Sequence, residues 1–191
     1  MRPQCYIIAG PNGAGKTTFA LEFLPRFVRC LNFINPDLIA QGISPLDPSR
    51  SMTRAGRLVL EEIRRNVSRR EDFAFETTLA GRTYYRQING MKESGYEIRI
   101  FYLWVPNVEL ALSRIHGRVE AGGHPVPEID VRRRYKRSLD NLFHMYRQLT
   151  SSLYFFDNSG EAPIMIFKEE EGDIEVFDES RYREMLGGAM P

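Results

Sequence analysis

The chain has 191 residues, of which 42% are hydrophobic and 27% charged, and its formal net charge is +1. These values are typical of one globular domain with a full core, so we expect a single domain over residues 1–191. The balanced charge disfavours general attraction to nucleic acid or to an anionic membrane. No apolar stretch approaches the roughly 20 residues that span a bilayer. The two cysteines, Cys5 and Cys30, lack metal-ligand spacing, so we expect reduced thiols. The N-terminus leaves no room for a signal peptide, so we expect a cytoplasmic protein.

A phosphate-binding loop follows the first predicted strand, the apolar run at residues 6–9. The pattern G-x-x-x-x-G-K-[ST] is complete, and it lies between a strand and a helical pattern, which is the context it requires. Its glycines let backbone N–H groups converge on phosphate oxygens, and the helix N-terminus adds a positive dipole. We predict a bound nucleoside triphosphate and Mg²⁺, with Lys16 at the β- and γ-phosphates and Thr17 as metal ligand. The predicted nucleotide-binding residues are Gly10, Pro11, Asn12, Gly13, Ala14, Gly15, Lys16, Thr17 and Thr18.

Helical and extended patterns alternate along the rest of the chain. Helices are expected over residues 17–28 (ending or kinked near Phe23 or Leu24 because of Pro25), 51–69, 82–95, 107–116 and 131–151. Strands are expected at residues 30–35, 72–75, 96–105 and 153–157, with a hairpin at 164–177 that extends the sheet edge. This order predicts an α/β, three-layer P-loop NTPase sandwich: a mostly parallel five-stranded sheet with helices on both faces and a C-terminal β-hairpin.

Polar side chains follow the second and third predicted strands. The second strand ends in Asn35-Pro36-Asp37, and ligands bind at the carboxyl ends of strands in open α/β sheets. Asp37 is therefore expected to face the P-loop crevice. The alternative is that it caps the turn at residues 38–40, and the two roles are not exclusive. The third strand ends in Glu76 and threonines. If that strand pairs with the first, Glu76 lies where many P-loop proteins hold an Asp near the metal.

A second unusual stretch, at residues 117–128, contains three glycines and two prolines and is flanked by arginines. Arg118 lies near its start, and the run Arg132-Arg133-Arg134 follows it. A glycine-hinged loop of this kind suits a lid over a triphosphate, at about residues 117–134. A nucleic-acid patch is the alternative, which the net charge of +1 disfavours. His124 has no partner at metal-ligand spacing, and we expect it to form hydrogen bonds within the loop.

The motifs separate the classes of P-loop protein. An Asn-Lys-x-Asp guanine reader is absent, as is the signature sequence of transport ATPases. Kinases of small molecules need lid arginines and an acid that faces the acceptor hydroxyl, and Asp37, Arg118 and the 132–134 cluster supply these groups. The prediction is an ATP-dependent phosphotransferase acting on a small-molecule acceptor. An ATP-binding switch that hydrolyses ATP and acts through a protein or nucleic-acid partner stays open as the alternative.

Four motifs together resemble the zeta-toxin family of P-loop kinases, in particular its short stand-alone members. They are the P-loop, Asn35-Pro36-Asp37, the segment 75–79 and the arginines from 118 to 134, which together extend over roughly residues 5–160. Zeta toxins phosphorylate a sugar hydroxyl of UDP-N-acetylglucosamine. The resemblance implies a UDP-sugar as acceptor and an antitoxin protein as partner.

The same resemblance implies roles for individual residues. Asp37 is the implied base for the acceptor hydroxyl, and Arg118 and Arg134 are implied to hold the γ-phosphate. The implied acceptor-binding residues are Asn35, Glu76 and Thr78. The chain departs from the family pattern at Ala80, where an arginine is usual, and Arg82 is the nearest replacement.

Overall fold

The computed structural model describes residues 2–123 and 125–189, so His124 lies outside the described residues. The strands are β1 (Gln4–Ala9), β2 (Phe33–Ile34), β3 (Phe73–Thr77), β4 (Glu97–Trp104), β5 (Ser152–Asp157), β6 (Ile164–Glu170) and β7 (Asp173–Val176). The helices are α1 (Lys16–Phe23), α2 (Pro36–Ile43), α3 (Met52–Arg69), α4 (Thr83–Glu93), α5 (Val108–Glu120), α6 (Glu128–Asn141) and α7 (Glu179–Ala189). Together they form the three-layer α/β fold that the sequence predicts.

The strands form one seven-stranded sheet in the order β2-β3-β1-β4-β5-β6-β7. Strands β1 to β5 run parallel, and the β6–β7 hairpin joins β5 in the antiparallel sense. The sheet therefore has seven strands rather than five, because the hairpin is continuous with it. Glu171 (φ 54°) and Gly172 (φ 94°) form the two-residue turn of that hairpin.

Alternating side chains of β1 enter two separate cores. Cys5, Ile7 and Ala9 lie in a core that α3, α4, α6 and α7 complete. Tyr6 and Ile8 point to the opposite face, which α1 and α5 cover. Both faces of the central strand are buried, and this explains why it reads as a continuous apolar run. The two cysteines are buried thiols, as expected, and burial raises the pKa of each.

The helix boundaries confirm some predictions and correct others. Helix α1 ends at Phe23, and a π-helical turn, Leu24–Val28, accommodates Pro25. Helix α2 was expected only as a turn, and α7 was not expected at all. Helix α6 begins at Glu128, three residues before the predicted start, and it is followed at Leu142–Tyr146 by a further π-helical turn.

The region predicted as a lid is largely helical. Helix α5 extends to Glu120, so Gly117 and Arg118 lie inside it rather than in a loop. The helix ends where Gly122 (φ 88°) donates its N–H to Val119 O and Gly123 donates to Arg118 O, at 2.9 and 2.8 Å. This pair of hydrogen bonds is a Schellman motif, so the predicted hinge glycines terminate a helix.

No helix within residues 2–123 and 125–189 is both long and apolar enough to cross a bilayer. The cytoplasmic location expected from the sequence stays a prediction.

Candidate active site at the carboxyl end of the sheet

The P-loop lies against the backbone of β4 and α5. A Cβ on Gly10 would lie 2.2 Å from Leu103 O, and one on Gly13 (φ 79°) would lie 2.3 Å from Ala111 O. Only glycine fits at these two positions, which brings the loop close to its neighbours. Lys16 is buried and donates a hydrogen bond to Pro11 O at 2.9 Å, so its ammonium group stays within the arc of the loop.

Glu76 is the centre of a buried polar cluster beside the P-loop. Its Oε2 atom accepts hydrogen bonds from Thr17 Oγ1 and from Asn35 Nδ2, both at 2.7 Å. Its Oε1 atom lies 3.7 Å from Lys16 Nζ. The pairing of β3 with β1, which places Glu76 opposite Ile8, produces this arrangement. Glu76 therefore lies on the phosphate side of the site, as expected if the third strand neighbours the first.

Asn35 links this cluster to α2. Its Oδ1 atom accepts the N–H groups of Asp37 and Leu38, at 2.8 and 3.0 Å, and its Nδ2 atom faces Glu76 and Thr17. Asn35 is therefore the N-cap of α2, and the alternative that Asp37 caps this segment is wrong. The exposed Asp37 carboxylate forms no hydrogen bond or ion pair with any residue that the structure describes.

The loop after β5 supports the P-loop from the other side. Asn158 Nδ2 donates to Ala14 O at 2.7 Å. The Arg114 guanidinium of α5 in turn donates to the carbonyls of Asn158 and Ser159, at 2.6 and 2.9 Å. Neither Asn158 nor Arg114 was expected from the sequence to have a role at the site. The one available signal was that Asn158 follows the carboxyl end of a strand.

A cleft of about 370 Å³ opens at the carboxyl end of β3, the strand next to β1, and its volume is within the size range of small-molecule sites. One wall is the end of β3 and the segment after it, and the other is α6. Thr77 lines the cleft and is the register partner of Ala9, which immediately precedes the P-loop. The principal lining side chains are Thr77, Thr78, Tyr84, Arg133, Arg134 and Arg137.

The arginines of α6 point in two directions. Arg133 and Arg134 line the cleft and pair with Asp130, at 2.6 and 3.9 Å. Arg132 instead pairs with Glu109 of α5 and with Glu128, at 2.9 and 2.8 Å, outside the cleft. Helical phase therefore favours Arg134 over Arg132 for a role at the site.

The structure brings together only part of the predicted acceptor site. Thr78 lines the cleft, whereas the exposed Arg82 precedes α4 and does not line it. Arg137, which the sequence analysis did not single out, does line the cleft. Arg118 lies in the last turn of α5. The acceptor-binding roles of Asn35, Glu76, Thr78 and Arg82 stay predictions.

Comparison with known proteins identifies the family. A family model described as zeta toxin matches residues 1–181. The chain belongs to the zeta-toxin family. The resemblance found in the sequence motifs is thereby confirmed over nearly the whole chain.

Individual known proteins resemble this zeta-toxin-family chain in sequence or in fold. An uncharacterised protein of Haemophilus influenzae is 31% identical over 135 residues, covering 71% of this chain and 94% of the relative. A chain of the AvrRxo1-ORF1:ORF2 complex crystallised with ATP superposes with a TM-score of 0.80 at 14% identity. The match covers all of this chain but 65% of the AvrRxo1 chain. A structure from the PezAT toxin–antitoxin system of Streptococcus pneumoniae gives 0.68 at 15% identity, covering 98% and 84%. Both structural likenesses show a shared fold.

The zeta-toxin-family site has suitable groups for a nucleotide and a metal ion. The P-loop offers converging N–H groups and a buried lysine, which fit phosphate oxygens. The Thr17 hydroxyl and the Glu76 carboxylate lie in contact, and Mg²⁺ prefers hard oxygen ligands of this kind, often through bound water.

Proposed function

We propose that this protein is an ATP-dependent phosphotransferase that moves the γ-phosphate of ATP to a hydroxyl of a small metabolite, specifically a UDP-sugar. The observation that carries the proposal is the juxtaposition of two half-sites. The cluster of Lys16, Thr17 and Glu76 lies at the P-loop, and the arginine-lined cleft begins one strand away. The family and the ATP present in one structural neighbour support the same conclusion.

The phosphate half of the proposed site binds ATP through the P-loop. Lys16 contacts the β- and γ-phosphates as a buried positive charge, and Thr17 and Glu76 hold Mg²⁺ directly or through water. Bound Mg²⁺ would neutralise the charge that develops on the phosphates. Asn158 and Arg114 keep the P-loop backbone in its binding conformation.

The acceptor half places a hydroxyl in line with the γ-phosphorus. Asp37 takes the hydroxyl proton as the acceptor oxygen forms its bond to phosphorus and the bond to the bridging oxygen of ADP breaks. An exposed carboxylate with no partner among the residues that the structure describes suits this role, since it stays available to a substrate. Arg118 and Arg134 stabilise the charge on the transferred phosphoryl group.

The cleft also supports a charged acceptor. It is lined by Arg133, Arg134 and Arg137 together with threonine hydroxyls, and guanidinium groups bind phosphate oxygens in a bidentate manner. A diphosphate-linked sugar presents both the anionic group and the hydroxyl. We further propose a protein antitoxin as partner, supported by the two structural neighbours that come from two-component complexes.

A screen for acceptor-dependent release of ADP tests the proposal. The protein is mixed with Mg-ATP and with a metabolite library that includes UDP-N-acetylglucosamine, and ADP and phosphorylated product are measured. We expect transfer to a UDP-sugar, absent in the Lys16→Ala variant. Hydrolysis without any acceptor effect, but stimulated by a protein or nucleic acid, would contradict the kinase proposal and favour the ATP-dependent switch.

A further inference from the structure

The segment at residues 78–81, between β3 and α4, forms one wall of the cleft and has an unusual backbone. Leu79 is almost fully buried and has a φ of 53°, a left-handed conformation that is unfavourable for a residue with a side chain. Such conformations persist only where surrounding contacts hold them. The contacts around residues 78–81 therefore determine how this wall of the cleft is shaped.

Three side chains from α6 and the turn after it bind the carbonyls of this segment. Ser138 Oγ donates to Thr78 O at 2.5 Å, Asn141 Nδ2 donates to Leu79 O at 2.7 Å, and Tyr146 Oη donates to Gly81 O at 2.6 Å. Most of this segment's backbone carbonyls are thus held by side chains rather than by regular secondary structure. A buried carbonyl that loses its donor is left unsatisfied, which is unfavourable, so each contact resists rearrangement.

Ser138 has no exposed surface, and the same is true of Tyr146. Its hydroxyl lies 2.7 Å from Tyr102 Oη of β4. Ser138 has one hydroxyl hydrogen and uses it on Thr78 O, so Tyr102 must donate to Ser138. Burial raises the pKa of Tyr102 far above its ordinary value, which keeps the phenol protonated as a donor. The result is a series of two hydrogen bonds, with all donors oriented the same way, from the core of the sheet to the wall of the cleft.

Helix α6 also carries the opposite wall of the cleft. Arg134 lies one helical turn before Ser138, and Arg137 is the residue immediately before it. Tyr135 of the same helix donates to Val105 O at 2.6 Å, which anchors α6 to the end of β4. One helix therefore fixes the cleft arginines and, through its polar side chains, the 78–81 segment that faces them.

We propose that Ser138, Asn141 and Tyr146, with Tyr102 behind them, are positioning residues that set the 78–81 segment at the distance from the α6 arginines that the acceptor requires. This inference rests on the proposed function, in which the cleft binds the acceptor. It assigns the four residues to acceptor binding rather than to ATP binding. A role confined to core stability would instead affect both substrates alike.

Two variants test the inference against a matched control. Ser138→Ala and Tyr102→Phe each remove one hydroxyl from the hydrogen-bonded series that ends at Thr78 O. Tyr96→Phe removes another buried phenol, whose hydroxyl donates to Asn66 O and Glu71 O, away from the cleft. We expect faster hydrogen exchange of the amides at residues 78–81 in the first two variants but not in the control, with ATP-induced protection of residues 10–18 kept in all three.

Kinetics with UDP-N-acetylglucosamine as acceptor give the second readout. We expect its KM to rise about tenfold in Ser138→Ala and Tyr102→Phe, the scale of one lost hydrogen bond. The Kd for ATP should stay within about twofold of that of the parent protein. Unchanged exchange at residues 78–81, or an equal loss of affinity for ATP and acceptor, would overturn the inference. If the parent protein transfers no phosphate to UDP-N-acetylglucosamine, only the choice of acceptor is contradicted. Hydrogen exchange at residues 78–81 still decides whether the four residues position this segment.

Discussion

Lys16 and Glu76 show how the buried charges at the P-loop are kept. The ammonium group has a carbonyl at 2.9 Å and a carboxylate at 3.7 Å, so its charge is compensated where solvent is excluded. The same geometry keeps the lysine side chain inside the loop, where nucleotide phosphates bind in P-loop proteins. Replacing Lys16 removes this positive charge and leaves Glu76 with neutral partners only.

We expect Lys16→Ala to abolish phosphoryl transfer and to weaken binding of Mg-ATP greatly, because the point charge at the β- and γ-oxygens is lost. Isothermal titration calorimetry measures the affinity, with Lys92→Ala as control. Lys92 is exposed and donates to Gln148 O, far along the chain from the P-loop. Equal ATP affinity in Lys16→Ala and Lys92→Ala would contradict the assignment.

Asp37 is exposed beside Asn35, and Asn35 contacts the phosphate-side cluster directly. We expect Asp37→Asn to keep ATP affinity and to lose at least about a hundredfold in turnover, the usual scale for removal of a general base. Single-turnover kinetics together with calorimetry separate the two effects. Asp173→Asn, in the exposed turn region of the hairpin, should change neither quantity. Turnover of Asp37→Asn close to that of the parent protein would leave Asp37 with no catalytic role.

At the scale of elements, α6 determines the geometry of the arginine cluster. Tyr135 and Ser138 attach the helix to two separate strand ends. Arg134 is thereby held on a supported helix rather than on a loop, while the segment at residues 121–127 links α5 to α6. Arg118 and Arg134, which the sequence placed on a lid, thus lie on either side of that link, inside two helices.

We expect Arg118→Lys and Arg134→Lys to lower turnover strongly without raising the KM for ATP, because guanidinium contacts formed mainly in the transition state are lost. Arginine fingers provide the scale, about 10³–10⁵ in rate. Arg132→Lys is the matched control, since Arg132 lies on the same helix but pairs with Glu109 and Glu128. A fall in ATP affinity with turnover preserved would make Arg118 and Arg134 ground-state clamps instead.

At the scale of the whole molecule, buried phenols couple stability to pH. Burial is the largest cause that raises the pKa of Tyr96, Tyr135 and Tyr146 to about 12, and it raises the pKa of Tyr102 further. All four hydroxyls donate to other groups, so they must stay protonated in the folded state. Their pKa values in the folded protein lie above the ordinary value of 10.0.

The stabilisation that these tyrosines contribute is therefore fully present below about pH 10. It is lost as the pH rises toward their pKa values in the folded protein, because the phenols of the unfolded chain release their protons at lower pH. We expect the Tm to fall steeply between about pH 9 and 11. In Tyr102→Phe the free energy of unfolding should fall less steeply with pH, by at most about 1.4 kcal/mol per pH unit within this range. Calorimetric scans of both proteins across the range test this. An invariant Tm would show that the phenols do not govern alkaline stability.

The sequence alone determined the features that depend on neighbouring residues. The P-loop is complete within nine residues, and Pro25 ends α1 at Phe23 by removing a donor and crowding the preceding turn. The alternation of apolar runs and helical periods gave the layer order, since each element must bury one face. The family resemblance, which was confirmed, could also be found in the sequence because each of its motifs is short and local.

Only the tertiary structure decided which distant residues meet. Glu76 reaches Thr17 because β3 pairs with β1, and Asn158 reaches Ala14 across 144 residues of chain. The phase of α6 decided that Arg134 faces the cleft while Arg132 faces Glu109. It also placed Ser138 against Thr78 O. These contacts depend on strand order and helix rotation, which are fixed by packing across the whole core and which no local pattern records.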